Sequence, residues 1–419
     1  MTYDLTVLAK QAEERLIPFF NELDNTAFIN QQRVMNAFKS AKLSESHFFA
    51  TTGYGYNDRG REVIDEIFAD IFGCEDALVR NNFVSGTHAL ATALFGVLRP
   101  GDILFSVTGK PYDTLDEIIG ITPSKGSLAE FGVNYRQADF KDGKVDFESI
   151  KGTLVNEKIK AVFIQRSKGY FNRPTLSCAE IGEIVKTVKS ISPDAVVIVD
   201  NCYGEFCETK EPTHYGADII VGSLIKNAGG GMADSGGYIA GKRDLVELCA
   251  YRLTSPGIGK EVGATFGQNR NILKGLFYAP HTVKESLKTA MFASSLFSLM
   301  GYSVNPDYNE KRNDIIQVIE LKCKEKLLAF CRGIQYGSPI DSYVTPEPWD
   351  MPGYSDEVVM AAGTFTQGAS IELSADAPIR EPFNVFFQGG LTYESGKIGI
   401  LSAAKEVFGN GVSLWSFWA

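Results

Sequence analysis

"VIVDNCYGEF", residues 197–206, opens on a β-branched run and brings it to an aspartate. Such a run suits a strand buried on both faces, the usual state of a parallel strand. Asp200 then stands where the strand leaves the sheet, and a carboxylate is costly to bury there unless a cation faces it. The same pattern recurs on either side. "ALVR" (77–80), "DILFSV" (102–107), "AVFIQ" (161–165), "DIIVGSLIK" (218–226) and "GGYIAG" (236–241) are strand-like, and helix-like segments such as "CAEIGEIVKTVKS" lie between them. This alternation predicts an α/β domain on a mostly parallel sheet.

The flanks differ. Residues 5–42 have helical periodicity, with Leu8, Ala12, Leu16 and Phe19 on one face. Beyond residue 285, the helix-like "TVKESLKTAMFASSLFSLMG" precedes "VVMAAGTFTQ", "SIELSA", "NVFFQGG" and "KIGILSAAKEVFG", which read as strands with turns. The expected division is an N-terminal helical segment (1–50), an α/β cofactor domain (51–285) and a smaller α+β domain (286–419). A chain of 419 residues exceeds what one core supports.

The net charge of −10 argues against nucleic-acid and anionic-membrane partners, both of which reward a basic face. Seven cysteines without a C-x-x-C pair, and four dispersed histidines, suggest neither a disulfide framework nor a metal site. Reduced thiols imply a cytoplasmic setting. "MTYDLTVLAKQAEERL" carries acids and is no signal peptide, and "AMFASSLFSLM" is too short to span a membrane, so a soluble protein is expected.

In such a sheet, ligands sit outside the carboxyl ends of the strands. Asp200 belongs there. Lys226 closes "DIIVGSLIK" and precedes the glycine-rich "NAGGGMADSGG", while "NNFVSGTHAL" sets Ser85, Gly86 and Thr87 between a strand and a helix. A helix N-terminus carrying small hydroxyls binds phosphate. Lysine, aspartate and phosphate cup together describe a pyridoxal 5'-phosphate site. The amine condenses with the aldehyde, and the carboxylate keeps the pyridine ring protonated and electron-accepting. Singly, each is ordinary: a strand-end cap, an N-cap, a solvated lysine. Their order along one α/β domain carries the reading. A Rossmann or P-loop nucleotide site is disfavoured, because "GIGKEVG" and "GGGMADSGG" lack both spacings.

On these residues, and on "GYGYNDRGREVIDEIFADIFGCEDALVRNNFVSGTHAL", "GKPYDTL", "QRSKGYFNRPTL", "GSLIKNAGGGMADSGGYIAG", "SPIDSYVTPEPWDMPGY" and "QGGLTYESGKIGI", the chain resembles the methionine γ-lyase-like family. That family is also labelled aluminium resistance protein or cystathionine β-lyase-like, and it belongs to the fold-type I pyridoxal-phosphate enzymes. The resemblance runs from about residue 50 to the C-terminus. It implies Lys226 as the aldehyde-binding lysine, Asp200 as the pyridinium partner, Ser223 as a phosphate contact and Tyr112 as a ring-stacking aromatic that assists proton transfer. Ile225 stands where relatives often have a second hydroxyl. Tyr56 and Arg59 match an element that reaches a neighbouring subunit's phosphate, with Tyr54 and Arg61 as alternatives. A homodimer is the implied minimum, and related lyases form tetramers. For the substrate α-carboxylate the candidates are Arg380, Arg166 and Arg173, since arginine's fork holds both oxygens. The implied activity is carbon–sulfur lyase action on a sulfur amino acid, giving a 2-oxo acid, ammonia and a thiol. Transamination, γ-replacement, aldolase-type cleavage and a non-catalytic role in metal tolerance are the alternatives.

Overall fold

Valine, isoleucine and phenylalanine dominate the central strands, and these strands are buried on both faces in the computed structural model, which describes residues 5–171, 173–351, 354 and 356–409. Nine strands come first: β1 (Asp76–Arg80), β2 (Ile103–Ser106), β3 (Asn134–Gln137), β4 (Phe140–Lys141), β5 (Lys144–Val145), β6 (Ala161–Gln165), β7 (Val196–Asp200), β8 (Ile219–Ser223) and β9 (Gly237–Gly241). All but the small β4–β5 pair form one sheet in the order β1-β9-β8-β7-β6-β2-β3. From β3 across to β8 every pairing is parallel, whereas β9 runs antiparallel to both β8 and β1. Gln165 pairs with Asp200, and Asp200 with Val221, so β6, β7 and β8 end nearly flush.

Alternate side chains feed two apolar layers. Phe163, Ile198, Val221 and Ile239 pack with Leu90, Leu94 and Val246 from the helices Gly86–Val97 and Arg243–Leu253. Ile164, Val197, Val199 and Ile220 face Phe68, Ile181 and Ile184 from the helices Arg59–Phe72 and Cys178–Ile191. Burial on both sides is what the uninterrupted apolar runs require.

The long helix Asn269–Leu299 leads to a second sheet. Its strands β10 (Ser303–Asn305), β11 (Gln317–Glu320), β12 (Val358–Ala361), β13 (Ser374–Pro378) and β14 (Asn384–Gln388) are antiparallel, in the order β10-β11-β14-β13-β12. The position 285/286 lies inside the long helix. Among the described residues no helix is long and apolar enough to cross a membrane.

Three local expectations change. The N-terminal periodicity is split into Leu5–Glu14 and Ile17–Ser40, because Pro18 cannot continue a preceding helix but suits the first turn of a new one. "KIGILSAAKEVFG" belongs to the helix Tyr393–Phe408, begun by the Thr392 hydroxyl accepting from the Ser395 amide. Its alanines, lysines and glutamate are strong helix formers, which the apolar run had masked. Strand β8 ends at Ser223, so Lys226 lies in the turn beyond it rather than closing the strand.

Candidate active site

The carboxyl ends of β7 and β8 open into a cavity of about 200 Å³ lined by Asp200, Lys226, Ser223, Tyr112 and the Ser85–Gly86–Thr87 turn. Each arrives by a local cause. Ser85 keeps an extended backbone as the N-cap of Gly86–Val97, its hydroxyl accepting from the His88 amide at 3.1 Å. The following amides face the cavity end of the helix, where the macrodipole favours an anion. Thr87 shares a hydrogen bond with Thr114, Oγ1 to Oγ1 2.9 Å. A Cβ on Gly86 would stand 3.1 Å from the Ser223 Cβ, so a glycine keeps this corner open.

Ser223 Oγ is buried and has no hydrogen-bond partner. A hydroxyl left so is normally satisfied by something the protein binds. Asp200 is buried at the strand end, its Oδ1 accepting from the Cys202 amide at 3.1 Å. Burial raises its pKa above the usual aspartate range, while Lys226 and the Cys202 amide pull it back. Lys226 Nζ lies 4.0 Å from the centroid of the Tyr203 ring. Burial works against its charge, yet the acidic groups around it, Cys202, Tyr203 and Asp200, hold its pKa above the ordinary lysine value. Tyr203 adopts φ +70°, a left-handed conformation that a bulky residue takes only under constraint, and its phenol meets the Ser370 hydroxyl at 3.2 Å. Within the chain the cations that favour the Asp200 carboxylate are Lys226 first and Arg173 after it. A pyridinium would take that place when pyridoxal phosphate binds, and the unpartnered Ser223 hydroxyl, the helix N-terminus and Asp200 all fit that group.

Tyr112 stands in an aromatic cluster. Its hydroxyl lies 2.6 Å from that of Tyr354, and its ring is 5.5 Å from that of Tyr170. Burial, with Tyr354 close by, raises its pKa well above the ordinary phenol value. The phenol thus keeps its proton at neutral pH.

The arginines separate. Arg166 is fully buried but away from the cavity, held by Asn201 (2.8 Å), Glu208 (3.0 Å) and Glu211 (3.4 Å). Arg380 turns outward to Asp356 at 2.8 Å and to the Tyr170 carbonyl at 3.0 Å. Arg173 gives Nη1 to the carbonyls of Thr108 and Lys110, and its buried Nε and Nη2 have no partners. Burial pulls its pKa down to about 10, and Asp200 resists. None of the three lines the cavity, because each found backbone carbonyls or carboxylates nearer its own loop. Arg61 likewise staples the carbonyls of Gly55, Gly263 and Glu261. Tyr54 and Tyr56 are 75 % and 58 % exposed, and Arg59 is exposed with them.

Sequence reasoning passed over Gln165, Cys202, Tyr203, Tyr170, Tyr354 and Asp376, all of which line the cavity. Cys202 and Tyr203 adjoin Asp200 and were within reach of the same strand-end argument. Tyr354 and Asp376 come from loops and strands more than a hundred residues away, with no local signal to mark them.

Residues 5–408 match the methionine gamma-lyase family. A carbon-sulfur lyase involved in aluminium resistance, from Clostridium novyi NT, is 52 % identical with a TM-score of 0.92, covering 96 % of this chain and 95 % of its own. The uncharacterised protein YnbB of Bacillus subtilis strain 168 is 50 % identical over 402 residues, 95 % of each chain. The pyridoxal-5'-phosphate-dependent protein YhfS of Escherichia coli shares the fold at a TM-score of 0.62 and 16 % identity, over 92 % of this chain and 97 % of its own.

Proposed function

The chain belongs to the methionine gamma-lyase family, and from that premise we propose that it is a pyridoxal-phosphate-dependent carbon–sulfur lyase eliminating a thiol from a sulfur-containing amino acid. The observation that carries this reading is the convergence of Lys226, Asp200 and the unpartnered Ser223 hydroxyl on one cavity beside a helix N-terminus. Bound there, pyridoxal phosphate supplies an electron sink for a carbanion at the substrate Cα.

The chain's own groups divide the remaining work. Ser223, the amides after Ser85 and the Thr87 hydroxyl would hold the phosphate. Asp200, buried at the strand end, would keep the ring nitrogen protonated. Lys226, as a neutral amine, would be the group placed to take the Cα proton and carry it onward. Tyr112, whose hydroxyl shares a hydrogen bond with that of Tyr354, is the donor to the departing sulfur. Elimination leaves a 2-oxo acid and ammonia whether the thiol departs from Cβ or Cγ.

A homodimer is part of the proposal. Tyr54, Tyr56 and Phe266 are exposed aromatics on two loops tied together by Gly263 N–H to the Tyr54 carbonyl (2.9 Å) and Phe266 N–H to the Thr51 carbonyl. Solvent is a poor place for such a patch, and a second copy would bring Tyr56 and Arg59 to its neighbour's phosphate.

The test is spectroscopic and then chemical. Wild-type protein incubated with pyridoxal phosphate is expected to develop a visible absorbance band that Lys226→Ala lacks. It should then release ammonia and a 2-oxo acid from L-cystathionine or L-methionine, and Lys226→Ala should fall by about a hundred- to ten-thousandfold. Keto-acid formation without ammonia would replace elimination with amino transfer. Full turnover by Lys226→Ala would remove the lysine from the scheme.

A further inference from the structure

Asp376 is a carboxylate the proposed chemistry does not use. It sits on β13, is 4 % exposed, and lines the same cavity as Lys226 and Asp200. Its Oδ2 accepts from Gln388 Nε2 at 2.7 Å, and its Oδ1 is buried without a partner. Lys226 is the only cationic side chain lining this cavity among the described residues. When Lys226 is committed to the cofactor, the groups left on the carboxylate are Gln388 and Tyr170, both neutral, and a buried carboxylate without a cationic partner is expensive to keep.

The geometry points to a cation on the substrate's side chain as the missing partner: we infer that this site selects amino acids whose leaving group carries an ammonium, a conclusion that rests on the lyase reading above. The argument goes by elimination over the substituents of Cα. The α-amino group must approach Lys226 and the cofactor it holds. The α-carboxylate is repelled by Asp376. What faces β13 is then the side chain. Around it stand Tyr112, Tyr170 and Tyr354, with ring centroids 5.5 to 6.2 Å apart, whose faces favour an ammonium over a neutral group. Lys226 is also the charge that pulls the Asp376 pKa down against burial, a sign that a cation in this space is felt by the carboxylate.

Two isosteric thioethers test it: S-(2-aminoethyl)-L-cysteine, which ends in an ammonium, and S-propyl-L-cysteine, which ends in a methyl. The wild-type protein loaded with pyridoxal phosphate is expected to favour the aminoethyl compound by at least about tenfold in kcat/KM for pyruvate release, and in calorimetric affinity. Asp376→Asn should bring the ratio to within about threefold of one. Equal use of the two by the wild type overturns the inference without a variant, and leaves the lyase reading standing. So does a ratio untouched in Asp376→Asn, or an equal loss on both compounds, which would assign Asp376 to the α-amino group. If neither compound yields pyruvate, elimination from Cβ fails, and the calorimetric ratio alone decides whether the cation is recognised.

Discussion

At the scale of single residues, the site is a set of polar atoms kept waiting. Ser223 Oγ is buried beside Gly86 with no partner, which costs stability unless a ligand satisfies it. Ser223→Ala should therefore raise the dissociation constant for pyridoxal phosphate by roughly tenfold, about 1.4 kcal/mol, followed by absorbance during dialysis. The cofactor-free protein should melt no lower than wild type. Asp376 has the opposite economy. Burial raises its pKa to about 6 from an ordinary 3.8, with Tyr170, Gln388 and Lys226 holding it from going higher. Because the folded state binds this proton more tightly than the unfolded chain, its contribution to stability declines as pH climbs from about 4 through 6. Asp376→Asn should remove that penalty, stabilising the cofactor-free protein by up to about 3 kcal/mol at pH 7 and by little at pH 4. Thermal melts at the two pH values check the difference. Tyr112→Phe deletes the donor to sulfur without disturbing its ring packing against Tyr170. Turnover should fall by about a hundredfold, with a melting temperature close to wild type.

At the scale of elements, what matters is how closely backbones approach. The helices Lys324–Tyr336 and Tyr393–Phe408 cross with almost no space between them. A Cβ on Gly333 would meet the Ala403 Cα at 2.4 Å, and one on Gly337 would meet the Gly399 Cα at 2.7 Å. Backbone cannot swing aside as a side chain can. Gly333→Ala should cost about 2–3 kcal/mol in denaturant unfolding despite alanine's better helix propensity. The element beside the site follows the same logic: Gly169, at φ +58°, passes where a Cβ would lie 2.9 Å from Gln165 Nε2 and 3.2 Å from the Tyr112 ring. Gly169→Ala is expected to displace Tyr112 and lower turnover more than it lowers stability. The helix ending at Phe408 shows why its own sequence was misleading. "KIGILSAAKEVFG" offers apolar residues on more than one face, because Gly399 and Ser402 pack on Gly337 while Ile400 and Leu401 enter the second core. A helix buried on several sides loses the clean period of a surface helix.

For the whole molecule, the sheet brings three carboxyl ends flush, and the second sheet closes the cavity with residues drawn from β12, β13 and the loops around Ser370 and Tyr354. The wall next to the phosphate cup is built by residues 85–226, the opposite wall by residues 354–376. Hydrodynamic mass of at least two chains is the expectation for the whole protein, and replacing Tyr54 and Tyr56 together by serine should shift it toward one chain.

Much of this was written into the sequence. β-branched runs buried on both faces, broken by glycine-rich turns, determined a mostly parallel sheet, and Asp200 and Ser85 to Thr87 came with their positions because strand ends are local events, whereas Lys226 falls in the turn just past its strand. What only the tertiary structure decided was the pairing of charges. Arg166, Arg173, Arg380 and Arg61 are indistinguishable as loop arginines, and each turned to carboxylates or carbonyls that the folded chain brought near. Asp376, unremarkable inside "SADAP", became a buried carboxylate of the cavity with one oxygen left unpartnered. The physical reason is range: backbone conformation answers to neighbours a few residues away, whereas a charge answers to whatever lies within a few ångströms, and only the fold sets that.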